Sequence, residues 1–353
     1  MTFGGIGHPI GCPMTRFRDL VSQAKYRASV CGAIALLVAS VCAPKEQPAR
    51  VNLFPRLQAG QTLAYQVSYR SEKNIKTRST LLVATPDDSA KVDVNALLRL
   101  EVVNVQPQGD RAIIRARTKF EVLNSDSHLK VPQIEPPDPQ VKRQDPKGKL
   151  VEFTILPNGR LDQVTGLEGL FPEQQQAWQE WAARFLLAVE FRTPSVRIAQ
   201  KWNSVEAEKS PAPIAGLRWI RESTYVRDEP CRAVQLTVQG SVAPSDAEPE
   251  TCAVILTNAT LHQDSNAKNA TPEDFKLHEL RTAGTARGSN RIITYVSLKS
   301  GLVIRATEES SQQMDVTVAK ADGSNRVRYG VNAKSHSEVV LVVQTPLNPQ
   351  SSP

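Results

Sequence analysis

Four histidines beyond the first fifty residues, His128, His262, His278 and His336, are the side chains best suited to proton transfer near neutral pH. None stands at a metal-ligand spacing from another histidine or a cysteine. The chain has no G-x-S-x-G elbow, H-E-x-x-H pair, phosphate loop or glycine-rich dinucleotide turn. Glu273-Asp274 follows Thr271-Pro272 and reads as the first turn of a short element rather than an acid/base pair. His336 stands just before the apolar run Val339 to Val343, as a surface position. With convergent titratable groups so scarce, the chain reads as non-enzymatic, with no cofactor and no metal site. A hydrolase assembled from distant residues is the alternative.

Two other sets of side chains carry information. Cys231 and Cys252 are the cysteines left once Cys12, Cys31 and Cys42 are assigned to the amino-terminal segment or its edge. In an oxidising compartment such a pair is a disulfide candidate. The spacing complicates it: a hairpin turning near Pro244–Pro249 sets Cys231 opposite a residue near 261, so the bridge joins neighbouring strands out of register or does not form. Trp178, Trp181, Phe185 and Val189 recur at helical spacing behind Pro172, a natural first-turn residue. They define an amphipathic helix within 169–191. Its aromatic face either seals one opening of a curved sheet or plugs a ligand cavity.

Location comes from residues 1–43. Arg16, Arg18, Lys25 and Arg27 precede the uncharged run Val30–Ala43, and small residues end it; this is the pattern of a secretory signal peptide. A spanning helix needs about 20 apolar residues, so an undersized membrane anchor is the weaker alternative. Cys42 after Ala39-Ser40-Val41 resembles a lipobox, although Val41 stands where a small residue is usual, leaving lipidation at Cys42 or ordinary cleavage after Ser40 or Ala43. Met14 offers a second start codon. Removing the segment takes away four of 43 basic and one of 36 acidic residues, so the formal net charge falls from +7 to +4. Both signs are interspersed from Arg50 onward, which gives no nucleic-acid patch. The densest basic run, Arg111, Arg115, Arg117 and Lys119, alternates with apolar residues and reads as the wet face of a strand.

The elements that position these residues follow from period-2 alternation. Leu63 to Arg70, Ile114 to Val122, Val151 to Ile155 and Val234 to Val238 each present one apolar and one polar face, as strands of antiparallel sheets do when one side is solvated. Gln108-Gly109-Asp110, Pro157-Asn158-Gly159, Ser300-Gly301 and Asp322-Gly323 mark turns. Five prolines within 131–147 mark a long loop, Ser210–Gly216 and Pro244–Pro249 further loops, and 345–353 a disordered tail. The expected fold is mainly β: curved antiparallel sheets of an open half-barrel type with one amphipathic helix, organised as an amino-terminal β half (50–168), the helix and a carboxy-terminal β half (192–344).

An internal echo suggests that the halves are related. Pro55 to Leu63, with Gly60-Gln61, resembles Pro194 to Trp202, with Ala199-Gln200; Phe153 to Leu161 resembles Tyr295 to Val303. Arg111-Ala112-Ile113 parallels Arg232-Ala233-Val234 at a shorter offset. The duplicated unit spans about 55–165 and 194–307.

The P-x-x-x-x-G-Q opening, the F-T-I-L-P-N-G-R-L hairpin before an aromatic helix and the Y-V-S-L-K-S-G-L-V-I-R hairpin resemble uncharacterised bacterial secreted and lipoprotein β-rich families. The resemblance covers roughly 55–310. It implies an exported fold distantly similar in shape to the periplasmic lipoprotein carriers, whose open half-barrel binds acyl chains, and it transfers no functional residue. The expected role is a non-catalytic envelope module binding an apolar or lipid-like ligand, with Trp178, Trp181 and Phe185 lining the site. The alternative is a structural or partner-binding envelope protein with a self-filled core.

Overall fold

Alternating apolar and polar residues bury one face of each strand, and here they build one continuous open sheet. The computed structural model describes residues 50–79, 88–109, 111–130, 150–185, 195–208, 212–236, 242–245, 248–264, 266 and 268–343. The signal segment with Cys42, the prolines of 131–147, Val189, Val238 and the 345–353 tail lie outside them.

The first meander is β1 (Thr62–Ser79), β2 (Asp88–Gln108), β3 (Arg111–Lys130), β4 (Leu150–Ile155) and β5 (Leu161–Thr165). Helix α1 (Pro172–Phe185) follows. The second meander is β6 (Lys201–Ala207), β7 (Leu217–Cys231), β10 (Glu250–Gln263), β11 (Leu280–Ser297), β12 (Val303–Lys320) and β13 (Val327–Val343). A small hairpin, β8 (Val234–Leu236) with β9 (Val242–Pro244), interrupts it, and the short helix α2 (Glu273–Leu277) precedes β11. The strand order is β5-β4-β3-β2-β1-β13-β12-β11-β10-β7-β6. The two expected halves therefore share one sheet, and the seam between them pairs the first long strand with the last, from Ala64 opposite Val342 to Ser79 opposite Val327.

The sheet is strongly curled. Gln312 of β12 donates to Glu208, just beyond β6, at 3.4 Å. Those strands are four places apart, about 19 Å in a flat sheet, so the second meander folds its inner face back on itself. The outer face is polar and cross-linked by charge: Arg70–Asp93 at 2.9 Å, Lys91–Glu72 at 2.9 Å and Arg117–Glu101 at 2.8 Å join neighbouring strands. Arg115 and Arg117 lie there, as their alternation with the buried Ile114, Ala116, Thr118 and Phe120 requires.

Two β-bulges alter the expected alternation. Val103 is the extra residue between Val102 and Asn104 and is left exposed. Glu121 is extra between Phe120 and Val122, so the phase flips: Val122, expected on the apolar face, points outward and Leu123 packs inward.

The two echoed openings form the same turn. Gly60 (φ +80°) and Ala199 (φ +66°) both take the left-handed region. The side-chain oxygen of Gln61 accepts from the Gln58 N–H at 2.9 Å, and that of Gln200 from the Arg197 N–H at 3.2 Å. Each turn then bonds the next strand, through Gly60 N–H to Val102 O and Ala199 N–H to Tyr225 O. The glutamine is thus the residue that caps the turn, and alanine pays a φ penalty that glycine avoids.

Gly301 shows how the amino-terminal approach is fastened. It turns β11 into β12 at φ +68°, and a Cβ there would stand 2.1 Å from the Phe54 carbonyl oxygen. Gly323 has a similar φ, +84°, with nothing within 4 Å of such a Cβ. Gly323→Ala is expected to lose about 1 kcal/mol from backbone strain alone. Gly301→Ala should lose about 2–3 kcal/mol, because the 54–56 segment must also move. Urea denaturation of the two variants side by side checks the difference.

Candidate functional site

Helix α1 starts as its sequence dictates. Pro172 occupies the first helical position, and the Gln174 side chain reaches back to accept the Phe171 N–H at 2.9 Å. From there the i, i+3, i+4 spacing points one stripe at the sheet. Trp178, Trp181 and Phe185 are brought together and buried against Tyr65 of β1 and Phe153 of β4. Trp181 is at the centre: its ring centroid is 4.8 Å from Phe185 in a stacked pair, 5.8 Å from Phe153 edge-on and 6.2 Å from Tyr65. The Trp178 indole N–H donates to Thr118 Oγ1 at 2.8 Å.

Two polar atoms in this aromatic layer are not matched. Tyr65 and Trp181 are both fully buried, yet the Tyr65 hydroxyl and the Trp181 indole N–H have no hydrogen-bond partner. Burial without charge compensation pushes the Tyr65 phenol far above its ordinary value, so it stays protonated as a donor.

One flank of the buried stripe on α1 is charged, and sequence reasoning passed over it. Arg184, one turn beyond Glu180, is buried and ion-paired with Glu308 of β12; it also meets Glu180 at 3.3 Å and Ser337 of β13 at 3.4 Å. Asn290 of β11 donates to the other oxygen of Glu308. Burial pushes the Arg184 guanidinium down from its ordinary value, and Glu180 opposes that push. The available signal was the phase of β12: Ala306, Glu308, Ser310, Gln312, Met314 and Val316 share the inner face, so a carboxylate at 308 has to be buried.

Cys231 and Cys252 are joined, with Cα atoms 5.8 Å apart. The expected partner of Cys231 near 261 is corrected: Glu250 lies opposite it, and Cys252 stands two places along. The chain leaves β7 for the β8–β9 hairpin, whose Val234 pairs with Val342 of β13, and returns to begin β10. The bridge closes the base of that excursion, with Ile304 buried beside it.

The remaining titratable candidates are dispersed. His336 is exposed on the outer face between Arg70 and Glu309 in register. His262 lies 3.5 Å from Asp264, which also holds Arg218 at 2.8 Å. His278 caps the end of α2, whose first turn carries Glu273 and Asp274 as expected. His128 is placed in β3. Among the described residues, no three His, Cys, Asp or Glu side chains gather as a metal site.

No family model matches the chain, and no curated protein matches it. Solved structures offer distant likenesses to outer-membrane channels. The Pseudomonas aeruginosa OpdQ structure aligns at 8% identity and TM-score 0.21, over 80% of this chain and 99% of that one. The COG4313 outer membrane channel from Pseudomonas putida F1 aligns at 10% identity and TM-score 0.16, over 84% and 98%. Likenesses at this level assign no function.

Proposed function

We propose that the protein is an exported envelope protein, a non-catalytic binding module that holds an apolar or lipid-like ligand between α1 and the first meander. The observation that carries this reading is the unmatched pair of donors beneath the helix. Buried polar groups in native proteins are nearly always paired, and Tyr65 Oη and Trp181 Nε1 lie unpaired inside an otherwise apolar aromatic layer. An acyl ester or similar tail with one acceptor would satisfy them, the usual composition of a small-ligand site. The charged outer face supports a sheet bathed in water, since a membrane barrel turns an apolar band outward. The twin turns at Gly60 and Ala199 support a duplicated unit, and the amino-terminal segment supports export, with Cys42 as the lipidation candidate.

The second reading is a structural or partner-binding protein with a self-filled core. It is favoured by the Trp178–Thr118 bond and the close ring contacts.

Native mass spectrometry of protein purified from the envelope fraction separates the two. The binding reading expects a co-purifying apolar molecule, recovered by organic extraction and depleted severalfold in Tyr65→Phe with the fold unchanged. No extracted ligand, with Tyr65→Phe merely as stable as wild type or more so, would support the self-filled core. Sequencing the mature amino terminus checks export and the state of Cys42.

A further inference from the structure

The inner face of the second meander carries a row of polar residues that the aromatic reading leaves unused. In register across the strands run Ser335, Ser310, Asn290, Ala259, Arg221 and Ser204. The adjoining row runs Glu308, Ile292, Thr257, Ser223 and Trp202, with Thr257 and Ser223 bonded to each other at 2.7 Å. Apolar clusters flank this belt on both sides, around Ile255 and Tyr225 at one end and around Trp219 and Leu261 at the other. A polar band between two apolar ones on the buried face of a sheet loses stability unless it serves something.

The belt is also incompletely satisfied. Asn290 and Arg184 are each more than nine-tenths buried, at 7% and 6% exposure, yet Asn290 Oδ1 accepts nothing and Arg184 Nε donates to nothing. Arg221 Nε is unpartnered as well, while another of its nitrogens holds Glu206 at 2.8 Å. The Arg221 side chain is 21% exposed and that of Glu206 31%, while Ser204, the belt's residue on β6, is buried. Ala259 is the neighbour of Asn290 in the row, and at Gly288 the Trp219 ring packs closely, 3.0 Å from the position a Cβ would take.

We infer that this belt, between the last turn of α1 and the Asn290–Ala259–Arg221 row, is a second binding site, for an uncharged hydroxyl-rich ligand of the saccharide class. The chemistry selects it. Two guanidiniums, Arg184 and Arg221, face three carboxylates, Glu180, Glu206 and Glu308, so an anion meets excess negative charge. A cation satisfies Asn290 Oδ1 but leaves both guanidinium N–H groups unmet. Vicinal hydroxyls donate and accept from adjacent atoms, which matches one orphan acceptor beside two orphan donors. The half-buried indole of Trp202, opposite Ser223, offers a flat apolar surface for the C–H face of a sugar ring.

The test is calorimetric titration of the full chain with maltotriose, cellotriose and triacetylchitotriose, with putrescine and citrate as charged comparisons. Saturable binding of at least one trisaccharide is expected, weakened tenfold or more by Asn290→Leu. Ser204→Leu, at the β6 end of the row, should weaken it similarly and decides the matter if Asn290→Leu fails to fold by circular dichroism. Tyr65→Phe should leave trisaccharide binding unchanged, which keeps this site separable from the ligand proposed under α1. The inference is overturned if none of the three trisaccharides binds, if the leucine variants bind within twofold of wild type, or if putrescine or citrate binds in their place with the same sensitivity.

Discussion

Trp181→Ala is expected to lower the unfolding free energy by about 3–5 kcal/mol, the range for removing a large aromatic from a rigid core. Trp181 is fully buried among four other aromatic rings, stacked on Phe185, edge-on to Phe153 and tilted against Tyr65 and Trp178. No neighbour can collapse into the gap without breaking another ring contact, so the cavity term adds to the lost transfer free energy. Against a total stability of about 5–15 kcal/mol, the variant should unfold at markedly lower urea. Leu277→Ala provides the contrast: that side chain is 80% exposed on α2, and the change should stay within about 0.5 kcal/mol. Urea denaturation followed by tryptophan fluorescence and by circular dichroism measures both.

The second large effect belongs to the buried ion pair. Arg184→Met leaves Glu308 and Glu180 buried without their cation, and breaking such a pair from one side is expected to lose about 3–5 kcal/mol. Removing both partners is different. Arg184→Met with Glu308→Leu replaces two buried charges by apolar groups of similar size, and most of the loss should be recovered. Equal destabilisation by the single and double variants would show that packing, not charge, accounts for the loss. The cycle therefore separates electrostatics from the packing of α1, which the Trp181 variant probes on its own.

Strands, turns and the helix were legible because each has a local cause. Alternation marks a half-buried strand, Asn158-Gly159 and Asp322-Gly323 mark reversals, and the Trp178, Trp181, Phe185 spacing marks a helical stripe. Phase changes were not legible: Val103 and Val122 look like core residues until a bulge in the strand pairing turns them outward. The register of Cys231 was missed for a related reason, since Val234–Leu236 and Val242–Pro244 pair as a separate hairpin between β7 and β10. The joining of two meanders into one sheet depends on β1 meeting β13, a contact between residues about 250–280 apart that no local pattern encodes. The polar belt was hidden because Asn290, Arg221 and Ser204 come from three strands, and only register places them in one row.

That same seam sets the order in which the molecule can be completed. β2 can pair with β1 as soon as both have emerged, but the other side of β1 has no partner until Val327–Val343 arrives. A chain delivered amino terminus first thus carries a long strand with one bare edge through most of its delivery, the situation in which wrong strand pairing is most costly. Closure of the sheet is a late event of high contact order, and until it occurs the bare edge of β1 is open to pairing with another chain.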